Sequence, residues 1–490
     1  MILFKKYVQV FLFLLLLVFD STYCSAIRDD LTEEEIKRVN EVIKNTSDFS
    51  KAERSEALTG GAGTTTKFDR NAFSQHFTTL TNEDKKNFLI GNGLFRKLWV
   101  SSPSSTRSSD GLGPLFNSRS CQSCHIKDGR GHLPQNNLPK SVVIKIGKYV
   151  GLTLEANEVY GKQFQSFAVP GLSKEADFEI HRESFNLPLN DNASYKLSKV
   201  VFNPVKLYYG NIDKNNSISA RISPQLIGMG LLESIVDEDI LLKNDPEDID
   251  NNGISGRVNW ITDLNTNKKR IGRFGHRATS PSLILQSANA FAHDMGISNP
   301  LNNDHYGDCT LKQLECNNFP TGVQLDIGST EASYLTLEKI NFYLSGLSPP
   351  KRRNVSDESV LNGKKLFYQA GCISCHTPKY VTSKNAKFPF LSFQLIWPYT
   401  DLLLHDMGPE LADYSLNNKE TNREWRTAPL WGIGLAKKVN PNATFLHDGR
   451  AKTILEAIYW HGGEAAKSKQ KIFSSNEKDR NDLIKFLNSL

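Results

Sequence analysis

The sequence predicts a mainly α-helical protein made of two related units, the first of which carries an α+β insertion. The first observation is a Cys-x-x-Cys-His motif that occurs twice, as "CQSCH" from Cys121 and as "CISCH" from Cys372. The second is that related segments recur in the same order around both copies, as an internal duplication requires. The third is the region 141–210, which is rich in the β-branched and aromatic residues that favour strands.

Each unit opens on a Gly-x-x-Leu-Phe segment and closes on an apolar helix. The openings are "GNGLF" from Gly91 and "GKKLF" from Gly363. Behind the two motifs follow "FGHRATSPSLILQSA" from Phe274 and "FLHDGRAKTILEAIYW" from Phe445. The closing segments are "INFYLSGL" and "LIKFLNSL". In the second of these, the apolar residues fall on one face at helical spacing: Leu483, Phe486, Leu487 and Leu490.

These segments predict the domain boundaries. Residues 27–84 are polar and are expected to form an N-terminal arm. The first unit is expected over 85–349 and the second over 350–490, separated at "LSPPKRR", whose paired prolines end a helix. Within the first unit, "SVVIKIG" and "YKLSKVVFNPVKLYYG" are predicted as strands of the insertion.

The amino-terminal segment predicts export. Lys5 and Lys6 precede an apolar run and then small residues, which is the pattern of a signal peptide over residues 1–26. Cleavage after Ala26 would remove Cys24, and a lipid anchor on Cys24 is the alternative. No later segment approaches the roughly 20 apolar residues that a transmembrane helix needs. We therefore expect a periplasmic protein without a transmembrane anchor.

The composition is that of a globular protein. The chain has 490 residues, of which 39% are hydrophobic and 23% charged. This length allows two or three domains that each bury a core. A net charge of +6 is small for the length and gives no support to a nucleic-acid partner.

Three chemistries use a Cys-x-x-Cys pair: zinc sites, thioredoxin-like redox centres and c-type haem attachment. Zinc would need a second pair about 15 to 20 residues away or two further histidines, and a thioredoxin-like centre would need a βαβ context. Only haem attachment also requires the histidine, since the thiols hold the porphyrin and the imidazole ligates the iron. The sequence predicts two covalent c-type haems, held by Cys121, Cys124, His125 and by Cys372, Cys375, His376.

Cys309 and Cys316, in "DCTLKQLEC", are the remaining cysteines of the mature chain. In an oxidising compartment they form either a local disulfide or two free thiols. Their spacing alone does not decide between the two, because disulfide geometry is specific.

The chain resembles the di-haem oxidoreductases, which are relatives of the bacterial di-haem cytochrome c peroxidases. The resemblance rests on "DGLGPLFNSRSCQSCH", "GRFGHRA", "DLLLHDMGPELAD", "REWRTAPLWG" and "FLHDGRAKTILEAI", and it covers nearly the whole mature chain. It implies two class I cytochrome c folds that face each other. One haem would pass electrons and the other would meet peroxide.

In those peroxidases a glutamine and an acidic residue stand over the iron that meets peroxide. The resemblance implies that Gln286 and Asp294, in "SLILQSANAFAHDMG", take these places as catalytic residues. A carboxyl group within hydrogen-bond reach of peroxide can act as a general acid, and an amide can orient it. The alternative is that Asp294 caps a helix or lies in solvent.

The chain departs from the peroxidases at two places. Where they carry a tryptophan that relays electrons between haems, this sequence has Phe274, Gly275 and His276. No methionine stands just before "WRTAPL", where the peroxidases have the distal ligand of the electron-transfer haem. Met407, in "HDMG", is therefore predicted to ligate the second haem iron, with core filling as its alternative role.

Three further side chains are candidates near the haems. His132 is a candidate sixth ligand of the first haem iron, and the alternative is a solvated loop histidine. Arg277 and Arg450 can pair with haem propionates, because guanidinium binds carboxylates in a bidentate manner. Ordinary surface salt bridges are the alternative for both arginines.

A calcium-like loop occurs in "DPEDIDNNGISG". Asp248, Asp250 and Asn252 stand at alternating positions before Gly253, as in the opening of an EF-hand loop. Position twelve is Asn259 instead of the usual glutamate. The loop is therefore predicted either to bind calcium as a structural ion or to form an Asn/Asp-rich turn.

The leading hypothesis is a periplasmic di-haem oxidoreductase of peroxidase type. It would take electrons from a small donor protein of cytochrome or cupredoxin type and pass them to hydrogen peroxide or another small oxidant. One alternative is a plain electron carrier with both irons six-coordinate. Another is a haem enzyme that oxidises residues of a partner protein.

Overall fold

The predicted mainly α class is wrong. The structure, a computed structural model, describes residues 28–134, 141–188, 194–262, 267–326 and 328–490. The predicted signal peptide and Cys24 lie outside the described residues. About 30% of the chain is helical and about 20% is strand in many small sheets, and no class I cytochrome c fold is shown. The strands outside the predicted insertion have two or three residues, which is too short for a recognisable alternating pattern.

The helices concentrate around the two motifs and at the ends of the units. None of the helices in the described residues is long and apolar enough to cross a membrane. In chain order the described α-helices are α1 Glu33–Ile43, α2 Asn82–Arg96, α3 Cys121–Cys124, α4 Met229–Glu233, α5 Asp237–Leu241, α6 Leu283–Met295, α7 Leu314–Asn317, α8 Tyr334–Ser345, α9 Glu358–Gln369, α10 Ala436–Val439, α11 Ile454–Trp460, α12 Ala466–Ser474 and α13 Glu477–Ser489.

The strands form one four-stranded sheet and several pairs, all antiparallel. In chain order they are β1 Leu115–Phe116, β2 Val142–Val150, β3 Thr153–Glu155, β4 Gln163–Phe164, β5 Phe167–Ala168, β6 Ala176–Pro188, β7 Ser194–Leu207, β8 Ser217–Ile222, β9 Trp260–Thr262, β10 Lys269–Ile271, β11 Tyr380–Val381, β12 Leu395–Ile396, β13 Leu404–Asp406, β14 Asp413–Tyr414, β15 Glu420–Asn422 and β16 Glu424–Arg426.

The two segments predicted as strands of the insertion are β2 and β7. β2 pairs with β3, β4 and β8 in the four-stranded sheet. β6 and β7 form a long ribbon whose far end packs on α11 of the second unit. There Phe185 lies edge-on to Trp460 at 5.5 Å between ring centroids, and Tyr195 meets Tyr459 at 5.1 Å. The insertion of the first unit therefore supports a helix of the second.

Each unit is closed by two helices that cross at a glycine. α2 lies against α8, where a Cβ on Gly91 would overlap the Lys339 carbonyl oxygen. α9 lies against α13, where a Cβ on Gly363 would overlap the Asp482 carbonyl oxygen. Both glycines belong to the recurring Gly-x-x-Leu-Phe segment. The crossing is therefore the structural reason for the repeated glycine.

The segments behind the two motifs also share a structure. Phe274 bridges to Ser280, and Phe445 bridges to Ala451, in isolated antiparallel pairs. Each loop leads into a helix, α6 or α11, that begins with a hydroxyl side chain capping its first turn. The duplication predicted from the sequence is therefore present at this level too.

The amino-terminal residues bind the second unit through buried charges. Lys364 Nζ lies 2.8 Å from Glu53 Oε1 and 2.9 Å from Glu56 Oε2. Arg352 also pairs with Glu56, and the side chains of Lys364, Glu56 and Arg352 are fully buried. A buried charge is tolerated when it is paired, so these residues hold the amino-terminal segment against α9.

The two units share their main apolar core. One cluster joins Phe95, Trp99 and Phe291 of the first unit to Leu402 and Trp431 of the second. Close packing of this kind transmits a shift in one unit to the other.

The structure decides between the disulfide and the two free thiols that the sequence left open. Cys309 and Cys316 are joined by a disulfide, with 6.3 Å between their Cα atoms. The four motif cysteines remain free thiols.

We predict that Gly91→Ala destabilises the protein and that Gly93→Ala, in the same helix, does not. The added methyl group at Gly91 meets a backbone carbonyl, and overpacking of this kind costs about 1–3 kcal/mol. A methyl group at Gly93 meets nothing within 4 Å and should stabilise the helix by about 0.5–1 kcal/mol. Urea unfolding followed by circular dichroism measures both, and equal midpoints would contradict the crossing.

Candidate haem sites

The first motif forms a short helix that presents an imidazole with a fixed orientation. Cys121 and Cys124 are the ends of α3, and His125 follows it. His125 Nδ1 donates a hydrogen bond to the Pro224 carbonyl oxygen at 2.8 Å. The Phe95 ring lies 6.3 Å from the imidazole, between ring centroids. His125 Nε2 has no hydrogen-bond partner among the described residues, so it is the nitrogen available to a metal.

The second motif repeats this geometry. Cys372–Ser374 form a single 3-10 turn, and His376 Nδ1 donates to the Tyr399 carbonyl oxygen at 2.9 Å. Phe367 lies 6.1 Å from the His376 ring, as Phe95 does from His125. Both phenylalanines come from the recurring Gly-x-x-Leu-Phe segment. Two distant parts of the sequence therefore build the same arrangement.

The donor atoms at both motifs fit a haem iron. Burial lowers the pKa of His125, and it lowers the pKa of His376 to about 4, so both imidazoles stay neutral and keep a lone pair at Nε2. Fixing Nδ1 on a carbonyl is how proteins orient a histidine that ligates a metal. Burial also raises the pKa of the Cys121 and Cys372 thiols to about 12. The thiols are therefore protonated and uncharged.

The structure places Asp294 at the first motif. It lies in the last turn of α6, and its Oδ1 accepts a hydrogen bond from Gln163 Nε2 at 2.8 Å. After burial itself, the Asp294 charge contributes most to raising the pKa of Cys124. Asp294 therefore neither caps a helix nor stands free in solvent.

Gln286 lies elsewhere on the same helix. Its side-chain oxygen lies beside the loop at Gly275, 3.8 Å from the point where a Cβ atom on Gly275 would stand. Gln286 and Asp294 are eight residues apart, which corresponds to about 12 Å along a helix axis. The structure does not bring the two side chains together, and the role of Gln286 in positioning peroxide stays a prediction.

Sequence reasoning missed Gln163, the residue that holds Asp294. Gln163 comes from β4 in the insertion and also donates to the His293 carbonyl oxygen. Lys145 Nζ lies 2.5 Å from the Gln163 side-chain oxygen. No local pattern marks such residues, because strand pairing far along the chain brings them to α6.

The three other candidates near the haems have protein partners. His132 Nδ1 bonds to the Leu133 carbonyl oxygen at 2.8 Å, which leaves Nε2 without a described hydrogen-bond partner, and its role as a sixth iron ligand stays a prediction. Arg450 Nε donates to Asp448 at 2.7 Å, and Arg277 Nη2 donates to Asp413 at 2.7 Å. Both arginines are buried, so their salt bridges are not the ordinary surface salt bridges that were the alternative prediction.

Asp413 is the centre of a buried network between the units. Its carboxylate accepts hydrogen bonds from Tyr149 Oη at 2.8 Å, from Arg221 Nη2 at 2.6 Å and from Arg277. Burial alone would raise the pKa of Asp413, but the two guanidinium charges overcome it and hold the pKa well below its usual value. Arg277 also lies over the Trp425 ring, 3.9 Å from its centroid.

The predicted iron ligand Met407 follows β13 in the second unit. Its side chain is partly buried and packs against the apolar cluster that contains Trp425 and Trp460. His405 beside it is bound at both nitrogens, with Nε2 2.9 Å from Asp401 and Nδ1 2.7 Å from Glu464. His405 therefore offers no free nitrogen to iron, while the role of Met407 stays a prediction.

Side-chain oxygens of the calcium-like loop accept hydrogen bonds from backbone N–H groups of the same loop. The carboxylate of Asp248 accepts from the Gly253 N–H at 3.0 Å, and Asp250 accepts from the Asn252 N–H at 3.1 Å. Asp245, Asp248 and Asp250 each offer a carboxylate oxygen, and these oxygens lie within 4.8 Å of one another. These contacts are those of an Asn/Asp-rich turn, and calcium binding stays a prediction.

Comparison with known proteins identifies the class. The family model described as "Di-haem oxidoreductase, putative peroxidase" matches residues 55–165 and 201–490. The chain belongs to this family, as its sequence motifs indicated. No curated protein matches the chain.

One solved structure is similar to the chain. It is the hydrazine synthase of Kuenenia stuttgartiensis pressurized with 20 bar xenon, at 13% identity over 86% of this chain and 91% of that chain. The TM-score is 0.32, which does not establish a common fold.

We predict that Asp413→Asn strongly destabilises the protein at neutral pH. It leaves two buried guanidinium groups without their carboxylate, and breaking a buried ion pair costs about 3–5 kcal/mol. Because folding lowers the pKa of Asp413, its contribution is present above the unfolded pKa of about 4 and is lost as the pH falls below it. Urea unfolding at pH 7 and pH 3 should show a smaller pH dependence in the variant. An unchanged pH dependence would contradict the assignment.

Proposed function

We propose that the protein is an exported di-haem c-type cytochrome of the periplasm that acts as a peroxidase-type oxidoreductase. The observation that carries this proposal is the pair of histidines, His125 and His376, each with Nδ1 fixed and Nε2 free directly behind two free thiols. Membership of the di-haem oxidoreductase family supports it. Each thiol pair would hold one haem through two thioether bonds, and each imidazole would ligate its iron.

A bound haem supplies an iron that changes oxidation state and transfers electrons. Reduction of hydrogen peroxide to two waters takes two electrons and two protons. The electrons would come from a small donor protein of cytochrome or cupredoxin type. The protein side chains must then deliver protons and connect the two sites.

Asp294 is the residue we assign to proton delivery. Gln163 holds its Oδ1, which leaves Oδ2 without a described hydrogen-bond partner beside the first motif. A carboxyl group in such a position can protonate the leaving oxygen as the peroxide bond breaks. Gln163 acts as a positioning residue, because it fixes the carboxyl group through a side chain that Lys145 in turn contacts.

A short chain of bonds supports electron transfer between the sites. His125 bonds to the carbonyl of Pro224, and the next residue, Gln225, donates from Nε2 to the Trp431 carbonyl oxygen at 2.5 Å. Gln225 and Trp431 are both buried. The first imidazole is therefore two hydrogen bonds away from the backbone of the second unit.

The same chain continues to the second imidazole. Leu430, next to Trp431, donates its N–H to the Pro398 carbonyl oxygen at 2.9 Å. Pro398 precedes Tyr399, whose carbonyl oxygen binds His376. The two imidazoles are thus connected by covalent bonds and four hydrogen bonds without a solvent gap.

We predict that the mature protein carries two haems that survive denaturation. Mass spectrometry of the denatured protein should show two haem additions, and the double variant Cys372→Ala, Cys375→Ala should show one. The matched control is Cys309→Ser with Cys316→Ser, which removes the disulfide and should leave both haems. Finding no covalent haem in the wild type would overturn the proposal.

We predict that Asp294→Asn lowers peroxide turnover by roughly 10²-fold or more, as expected for a lost general acid. Turnover is measured with hydrogen peroxide and a reduced cytochrome on the half-reduced protein, with haem content and reduction potentials as checks. The control is Asp326→Asn at an exposed carboxylate that pairs with Arg107, which should leave turnover unchanged. An inactive wild type would favour the electron carrier, or an enzyme that oxidises a partner protein, over the peroxidase.

A further inference from the structure

The histidine at the end of α11 has the geometry of a metal ligand. His461 Nδ1 donates to the Ala457 carbonyl oxygen at 2.7 Å. His125 and His376 are held in the same way, by one hydrogen bond from Nδ1 to a carbonyl. No described residue binds His461 Nε2. The second nitrogen is therefore available to a metal, whereas both nitrogens of His405 are occupied.

The face of α11 on which His461 stands looks towards the second motif. Ile454, Ile458 and His461 are spaced i, i+4 and i+7, which places them on one side of a helix. Both isoleucines pack against the apolar cluster that contains Phe367, as Cys372 does, and also against the cluster that contains Trp425 and Trp460. His461 continues this stripe at the end of the helix.

The internal duplication gives an independent comparison. α6 and α11 occupy the same place in the two units, each behind a bridged loop that starts with phenylalanine. At the end of α6 the first unit places Asp294 beside its thiol pair. At the end of α11 the second unit places His461. Counted from the capping residues Ser282 and Thr453, Asp294 is the twelfth residue and His461 the eighth, so the two side chains stand on a similar face of their helices, about one turn apart.

The surroundings hold His461 in place. Behind it, Gly463 lies against the Asp406 carbonyl oxygen and has a positive φ of 52°, which glycine adopts without strain. Glu464 then accepts the Asp406 N–H at 3.0 Å and the Ser255 hydroxyl at 2.9 Å. In front of it, the β6–β7 ribbon packs on Trp460. The backbone on both sides of His461 is thus held in place.

We propose that His461 Nε2 is the sixth ligand of the second haem iron, opposite His376. This inference rests on the proposed function, since it requires a haem at the second motif. Two imidazoles close the second iron to peroxide and leave it to transfer electrons. The first unit has Asp294 about one turn further along the corresponding helix, and its iron would be the one left for peroxide. His461 replaces Met407 as the ligand in this assignment, and Met407 then fills the apolar cluster that it contacts.

The test uses the mature haem-loaded protein and three variants. Electron paramagnetic resonance of the oxidised wild type should contain a low-spin signal of a bis-imidazole haem, and its absorption spectrum should lack the thioether-to-iron band in the red. His461→Gly should convert one haem from low spin to high spin, and added imidazole should restore the low-spin signal. Met407→Leu should change neither spectrum, and His181→Gly, at an exposed histidine of β6, should not respond to imidazole.

A second variant decides the matter if His461→Gly loses the haem. His461→Met should create the thioether band and raise one reduction potential, because a thioether ligand favours reduced iron. The inference is overturned if His461→Gly keeps the wild-type spin state, or if Met407→Leu abolishes a thioether band present in the wild type. Two covalent haems with an unchanged His461→Gly spectrum would refute the ligand alone, whereas no covalent haem would refute the proposed function.

Discussion

The crossing of two helices at a glycine is the constraint on which each unit depends. At Gly91 and at Gly363 the backbones approach so closely that a methyl group would not fit. The phenylalanine one helical turn later, Phe95 or Phe367, then lies on the same face and packs near the motif imidazole. The helix pair therefore positions the phenylalanine ring, and the ring packs beside the motif imidazole. A single hydrogen bond to a backbone carbonyl then fixes the orientation of the imidazole. The repeated Gly-x-x-Leu-Phe segment records this geometry in the sequence.

The two sites differ in the charged groups around them, although their imidazoles are held alike. The first has Asp294 with Gln163 and Lys145 behind it. In the second site, His405 lies between the carboxylates of Asp401 and Glu464. Burial alone would lower the pKa of His405, but the charge of Asp401 and the hydrogen bonds to both carboxylates raise it well above its usual value. A buried cation and its carboxylates stabilise a fixed local arrangement only while they remain paired. The first site thus has a carboxylate whose Oδ2 has no described hydrogen-bond partner, whereas the charged groups of the second are already paired.

The sequence predicted the parts that local patterns encode. The motifs, their Gly-x-x-Leu-Phe openings, the bridged loops and the strands β2 and β7 all have signals within a few residues. The fold class was wrong because short pairs such as β13 with β16 carry no periodic pattern. The partners Pro224 and Tyr399 were not predictable, because they contribute backbone carbonyls and any residue has one. Gln163 was missed because tertiary pairing, and no motif, brings it to Asp294.

Under the proposed function, a chain of hydrogen bonds would take the place of the relay tryptophan that this sequence lacks. Phe274, Gly275 and His276 occupy the place where related peroxidases have that residue, and His276 Nε2 bonds to the Ile222 carbonyl oxygen instead. Ile222 is two residues before Pro224, the residue that binds the first imidazole. An electron path through backbone and hydrogen bonds does not need an aromatic ring at that place, provided that the bonds are short and buried. Gln225 meets both conditions, so under the proposed function electrons would pass between the sites through an amide whose partner is a carbonyl of the second unit.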